Sequence, residues 1–176
     1  MGHSALYDED ILLWSEEQAE VIRRLGQTRR DLPNNLDLEN IAEEIESVGR
    51  SEMASVESFF RLLLVHLIKI AAVPNSPANL HWRDEVRNFS AEAVTRFSPS
   101  MGQRVDLQRA WRLASGQAMS SLAEHGNPAL GLPAECPFTV EELIQEPLDL
   151  QPLLARLGSR VDLGNFDSAR GDRGAE

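Results

Sequence analysis

Two polar side chains, Glu52 and His66, fall where a helical sequence should place apolar ones. Residues 37–72 hold no proline and one glycine, so all 36 can run as one helix roughly 54 Å long at about 1.5 Å per residue. On a wheel of about 100° per residue, Leu38, Ile41, Ile45, Val48, Val56, Phe59, Leu63 and Ile70 make one core-facing stripe, and Glu52 and His66 lie on it. A carboxylate there either reaches water because the helix bends near Gly49, or is buried and paired with an arginine, since an isolated buried charge is costly. His66 is either a core histidine with satisfied ring nitrogens or a ligand or proton-transfer group. They stand 14 positions apart, roughly 21 Å along a straight helix, so the two do not form one site by themselves.

The remaining chemistry-bearing residues are sparser. Glu39, Glu43, Glu46 and Arg50 line the face opposite the stripe and read as a solvated face with local charge pairs. His81 and Glu85 stand at i, i+4, with Glu92 further along; a cation there needs a third ligand from another helix, so a solvated face is the simpler reading. None of His3, His66, His81 or His125 has a glutamate three residues before it, which excludes a paired Glu-x-x-His di-iron bundle. Cys136 lies between Glu135 and Pro137 with no activating histidine nearby in sequence, and no nucleophile turn or phosphate-cradling glycine loop is present. No catalytic, cofactor-binding or metal-ligating residue is assigned. Arg83, Arg87, Arg104, Arg109 and Arg112 bind an anion only if gathered; the acidic first part of the chain, Glu52 included, is the simpler partner for them.

The elements that must position these residues are all helical. Asp37 suits the N-cap of the long helix, with Leu36 and Ile41 at staple positions, and Pro74 ends it. Before it, residues 6–25 read as one amphipathic helix with Tyr7, Ile11, Trp14, Val21, Ile22 and Leu25 on a shared face, ended by Gly26. After it, residues 80–97 place Trp82, Val86, Phe89, Ala93 and Phe97 on a narrow arc, and residues 101–124 bury Leu107, Ala110, Trp111, Ala114, Ala118 and Leu122. Thr139 and Glu142 match a capping box, and residues 150–157 add a further short turn or two. No strand alternation or internal repeat stands out. The expectation is an all-α, four-helix up-and-down bundle around a long second helix with short C-terminal helices: one domain over 1–157, then a disordered tail over 158–176.

Composition narrows the function classes. The net charge is −11, which argues against binding a phosphate backbone, so no nucleic acid is expected. Residues 1–57 carry 14 acids against 5 bases, whereas 58–112 carry 4 against 8, so the two segments suit each other. One cysteine rules out an intrachain disulfide and fits a reducing cytoplasm. The first ten residues resemble no secretory leader, and no 18-residue uncharged stretch exists, so no membrane span is expected. The run Phe59–Val73 is apolar almost all round and must be covered, either by other helices or by a second copy of the chain.

The series LYDEDILLWSEEQ at 6–18, DLENIAEEIESVGRSE at 37–52, LLLVHLIK at 62–69, HWRDEVRNF at 81–89 and CPFTVEELI at 136–144 resembles family 29 of the bacterial domain-of-unknown-function series, over about Leu6 to Ile144. The resemblance implies an all-helical bundle and no assigned activity, and it groups Glu43, Glu46, Arg50, His66 and Trp82 as motif positions. Two functions stay open. One is a protein–protein interaction or regulatory bundle, a homo-oligomer or partner-binding protein acting through Phe59–Val73. The other is a bundle enzyme or a small-ligand or metal-binding protein, with a polar pocket drawing on Glu43, Glu46, Arg50, Glu52, His66 and Trp82 if a helix or subunit covers that face.

Overall fold

A computed structural model describes residues 3–127 and 130–158. In chain order the helices are α1 (His3–Glu9), α2 (Ile11–Thr28), α3 (Leu38–Ala72), α4 (Asn79–Arg96), α5 (Leu107–Glu124), α6 (Val140–Leu143) and α7 (Leu150–Gly158), with one 3-10 turn at Pro99–Met101. The fold is all-helical and the described residues include no strand. The long helix expected over residues 37–72 is α3. The expected tail beyond Gly158 lies outside the described residues.

Two helix starts differ from the sequence reading, each because an aspartate caps a helix, and α2 runs past the expected stop at Gly26 to Thr28. The single helix expected over 6–25 is broken at Asp10, whose backbone sits at φ −149° and ψ 84° and whose carboxylate accepts the Leu13 N–H at 3.0 Å. The same buried carboxylate accepts the Ser100 N–H at 2.8 Å and the Ser100 hydroxyl at 2.7 Å. Burial alone would raise its pKa, but these hydrogen bonds favour the charged form and hold it below the ordinary aspartate value. The helix expected from Met101 starts instead at Leu107, because Asp106 accepts the Arg109 N–H at 2.8 Å and the preceding chain makes the 3-10 turn.

The chain divides into two compact units. The first takes residues up to Glu57 together with Ala93–Val105; the second takes Ser58–Glu92 and the residues from Asp106 onward. Thus α3 gives Leu38–Glu57 to the first unit and Ser58–Ala72 to the second.

In the first unit α2 and α3 form an antiparallel hairpin, since Gly26 faces Leu38 at one end while Leu12 and Ser15 face Gly49 at the other. The seam is built from small residues. Leu12, Ser15 and Ala19 of α2 are buried, as are Ala42 and Gly49 of α3. A Cβ on Gly49 would overlap Ser15 Oγ and lie 2.9 Å from Leu12 Cα, so the backbones pass too closely for any side chain there. The wheel puts Ile41 and Val48 on the core line; the structure leaves them 37% and 43% exposed. Close backbone approach, rather than hydropathy, decides which face of α3 turns inward here.

The second unit is packed by large side chains. Phe60, Leu63, Leu64, Val65, Leu67, Ile68 and Ile70 of α3 are buried, together with Trp111 of α5 and Leu143 of α6. Of the two covers considered for Phe59–Val73, the chain's own residues supply the cover, so this run is not a free surface. The Ser90 hydroxyl of α4 donates to Leu143 O at 3.0 Å, and the Trp111 indole N–H donates to Pro133 O at 2.9 Å. The capping box opens α6 as expected, and Arg156 of α7 forks onto Glu142 at 2.7 and 2.9 Å while lying over the Phe138 ring.

Candidate functional site

The six residues singled out from the sequence sort into separate local settings. Glu43, Glu46 and Arg50 meet in the first unit, joined by a residue the sequence reading missed. Arg23 of α2 lies 2.6 Å from Glu46, 3.5 Å from Glu39 and 3.7 Å from Glu43, while Arg50 pairs with Glu43 and, at 3.3 Å, with Glu46. Glu39, Glu43 and Arg50 are exposed and Arg50 pairs locally, as a solvated face would have it, while Glu46, half-buried, flanks the seam with α2. Its hydrogen bond with Arg23 lowers the Glu46 pKa and raises that of Arg23. A signal was present: three glutamates at helical spacing call for a cation from the facing helix, and Arg23 and Arg24 are the only bases before residue 29.

Glu52 takes neither extreme considered for it. Half-buried, it pairs with Arg96 at 3.3 Å, at the edge of an open depression of about 400 Å³ whose lining includes Tyr7, Ile11, Val48 and Phe97. Its arginine partner is Arg96, from the end of α4, and none of the five arginines that the sequence offered.

His66 and Trp82 belong to the second unit. The Nδ1–H of His66 donates to Leu62 O at 2.9 Å, the tautomer following from a carbonyl that can only accept, and its ring leans on Phe89 with centroids 5.6 Å apart. Burial pushes the imidazole below its ordinary pKa, and Lys69 and His81 push the same way against the Leu62 carbonyl and Glu85. One ring nitrogen is thus satisfied within its own helix, and the side chain is half-buried. Trp82 lies under Lys69, whose Nζ is 5.9 Å from the ring centroid, and both line a pocket of about 360 Å³ with Ser76, Ser121, His125 and Asn127.

Among the described residues no group of three or more His, Cys, Asp or Glu is placed to hold a metal ion, so His81 and Glu85 gain no third ligand. Burial raises the Cys136 pKa, which leaves a poorly nucleophilic thiol. No helix of the described residues is long and apolar enough to cross a membrane.

Fold and site together define an all-helical protein whose acids and arginines are turned toward one another. The chain belongs to the family described as domain of unknown function DUF29, whose model matches residues 6–148. It is also similar to a crystal structure of an alpha-helical protein of unknown function from Rhodospirillum rubrum, at 36% identity and a TM-score of 0.82, over 86% of this chain and 97% of that one. No curated protein matches the chain.

Proposed function

We propose that the chain is a protein-interaction module that docks through the apolar face α1 and α2 turn outward. The observation that carries this is a row of large side chains on the wrong side of a packed helix. Tyr7, Ile11, Trp14, Gln18, Val21 and Leu25 follow one another at alternating steps of four and three; Tyr7, Val21 and Leu25 are 52%, 53% and 36% exposed, and Ile11, Trp14 and Gln18 between them are half-buried. Helix α2 meanwhile packs inward through Leu12, Ser15 and Ala19. Single exposed apolar residues are ordinary on protein surfaces, whereas a row of them marks a surface that is covered in use. This moves the interface from Phe59–Val73, which its own chain buries, to the first unit.

The test is a photo-reactive benzophenone amino acid placed at Val21 in the native host, with Leu113, a solitary exposed leucine on α5, as the control position. Cross-linked product at position 21 and not at 113 supports the reading, and no product at 21 removes it.

A second reading, a small-ligand site, is favoured by the pocket under Lys69. About 360 Å³ suits a small molecule, and Lys69, Ser76, His125 and Asn127 give it a polar lining suited to an anion. Anion-dependent thermal stabilisation that Lys69→Ala abolishes would support it.

A further inference from the structure

We infer that the occupant of the outward face of α2 is a second copy of this chain, paired antiparallel about a two-fold axis between Gln18 and Val21. The inference rests on the docking reading above and names its partner. The spacing of Ile11, Trp14, Gln18, Val21 and Leu25 repeats every seven residues, the period that keeps a seam facing another helix along its whole length. Tyr7 extends the seam across the break at Asp10, because its ring stands edge-on against Trp14 with centroids 4.8 Å apart.

A two-fold interface must be self-complementary, each residue meeting a partner that meets it in return. Antiparallel pairing satisfies this on the seam: Trp14 lies opposite the partner's Leu25, and Gln18 lies opposite the partner's Val21. It also satisfies the flanks. Glu17 and Arg24 each stand one residue before a seam position, Gln18 and Leu25, and in the same register Glu17 faces the partner's Arg24 while Arg24 faces the partner's Glu17. Parallel pairing would set Glu17 beside the partner's Ile22 and lose both ion pairs. Arg24 gives up little to make the new contact, since its present pairing with Glu20 is an exposed i, i+4 contact at 3.4 Å. The net charge of −11 opposes association at long range, but screening beyond about 8 Å at physiological salt leaves the local seam to decide.

Sedimentation velocity on the full chain at micromolar concentration tests this. A dimer is expected. Val21→Asp should yield monomer with unchanged far-ultraviolet circular dichroism, because the side chain is exposed in the single chain. Glu17→Arg alone should weaken the dimer about tenfold or more, and Glu17→Arg with Arg24→Glu should restore it. In a Cys136→Ser background, mixing a Gln18→Cys chain with a Val21→Cys chain should give a mixed disulfide faster than either chain oxidises alone. A monomeric wild type, or a dimer indifferent to Val21→Asp and to the charge exchange, overturns the inference. The cross-link at Val21 separates the two claims: a product of two chain masses supports both, a product with a different protein overturns self-pairing and leaves the docking reading, and no product overturns both.

Discussion

The two halves of α3 solve opposite packing problems. Its first half lies against α2 through Ala42 and Gly49, facing Leu12 and Ser15, with charges from Arg23 and three glutamates spanning the seam. Its second half is walled by Phe60, Leu63, Leu64, Leu67 and Ile68. Where backbones nearly touch, no volume remains for an addition; where large side chains fill the space, a deletion leaves a void. The first half of α3 should therefore be intolerant of larger residues and the second of smaller ones, and each substitution below breaks or sharpens that contrast.

The largest expected effect is in the second unit. Phe60→Ala removes a fully buried ring and should cost about 3–5 kcal/mol, a fall of roughly 6–20 °C in thermal midpoint for a chain of this size. Gly49→Val is the mirror test, adding bulk where a single Cβ already overlaps Ser15 and Leu12; a cost of about 3 kcal/mol is expected by denaturant titration, and a neutral result would show that the hairpin can spread. Asp10→Ala removes the cap of α2 and strands the Ser100 N–H and hydroxyl, for about 2–3 kcal/mol.

Acid should separate the units in order. The His66 pKa is lowered on folding by burial, so the unfolded chain binds that proton more readily; the stability it contributes is complete above about pH 6.5 and is lost as pH falls from there. Asp10 and Glu46 of the first unit, whose pKa values are lowered, hold their contributions down to the ordinary carboxylate range and lose them as pH falls through it toward their lower folded values. Thermal midpoints at pH 7.5 and 5.5 should therefore fall in the wild type and converge in His66→Gln. The smallest effect belongs to Val48→Ala, within about 0.5 kcal/mol, because the side chain the wheel puts in the core is at the surface.

Sequence periodicity served the second unit better than the first. On α5, Ala110, Trp111, Ala114, Ala118 and Leu122 are buried as the wheel places them, with Leu107 half-buried at its start, and on the second unit's part of α4 Val86 is buried with Trp82 and Phe89 half-buried beside it. There large apolar side chains and the packed face coincide, so hydropathy reads the packing directly. On α2 and early α3 they part company: a wheel ranks Ile41 and Val48 above Ala42 and Gly49, and it contains no information about how closely a second helix approaches. The acids of the candidate site were visible for the same reason that their setting was not. Glu43, Glu46 and Arg50 form a local pattern, whereas their link to Arg23 spans 23 residues in the case of Glu46. Asp10 reads as one more polar residue in a helix because its decisive partner, Ser100, is 90 residues away.

That separation bears on how the chain comes off the ribosome. The first unit is not finished when Glu57 has been made; it waits for Ala93–Val105, and all of Ser58–Glu92 must be synthesised in between. At roughly 5–20 residues per second, Asp10 spends on the order of 5–18 seconds with only its own helix terminus to bind before Ser100 is added. A nascent chain halted after α3 holds the α2–α3 hairpin without that latch, so the order of translation itself postpones closure of the first unit until Ser58–Glu92 of the second has been made.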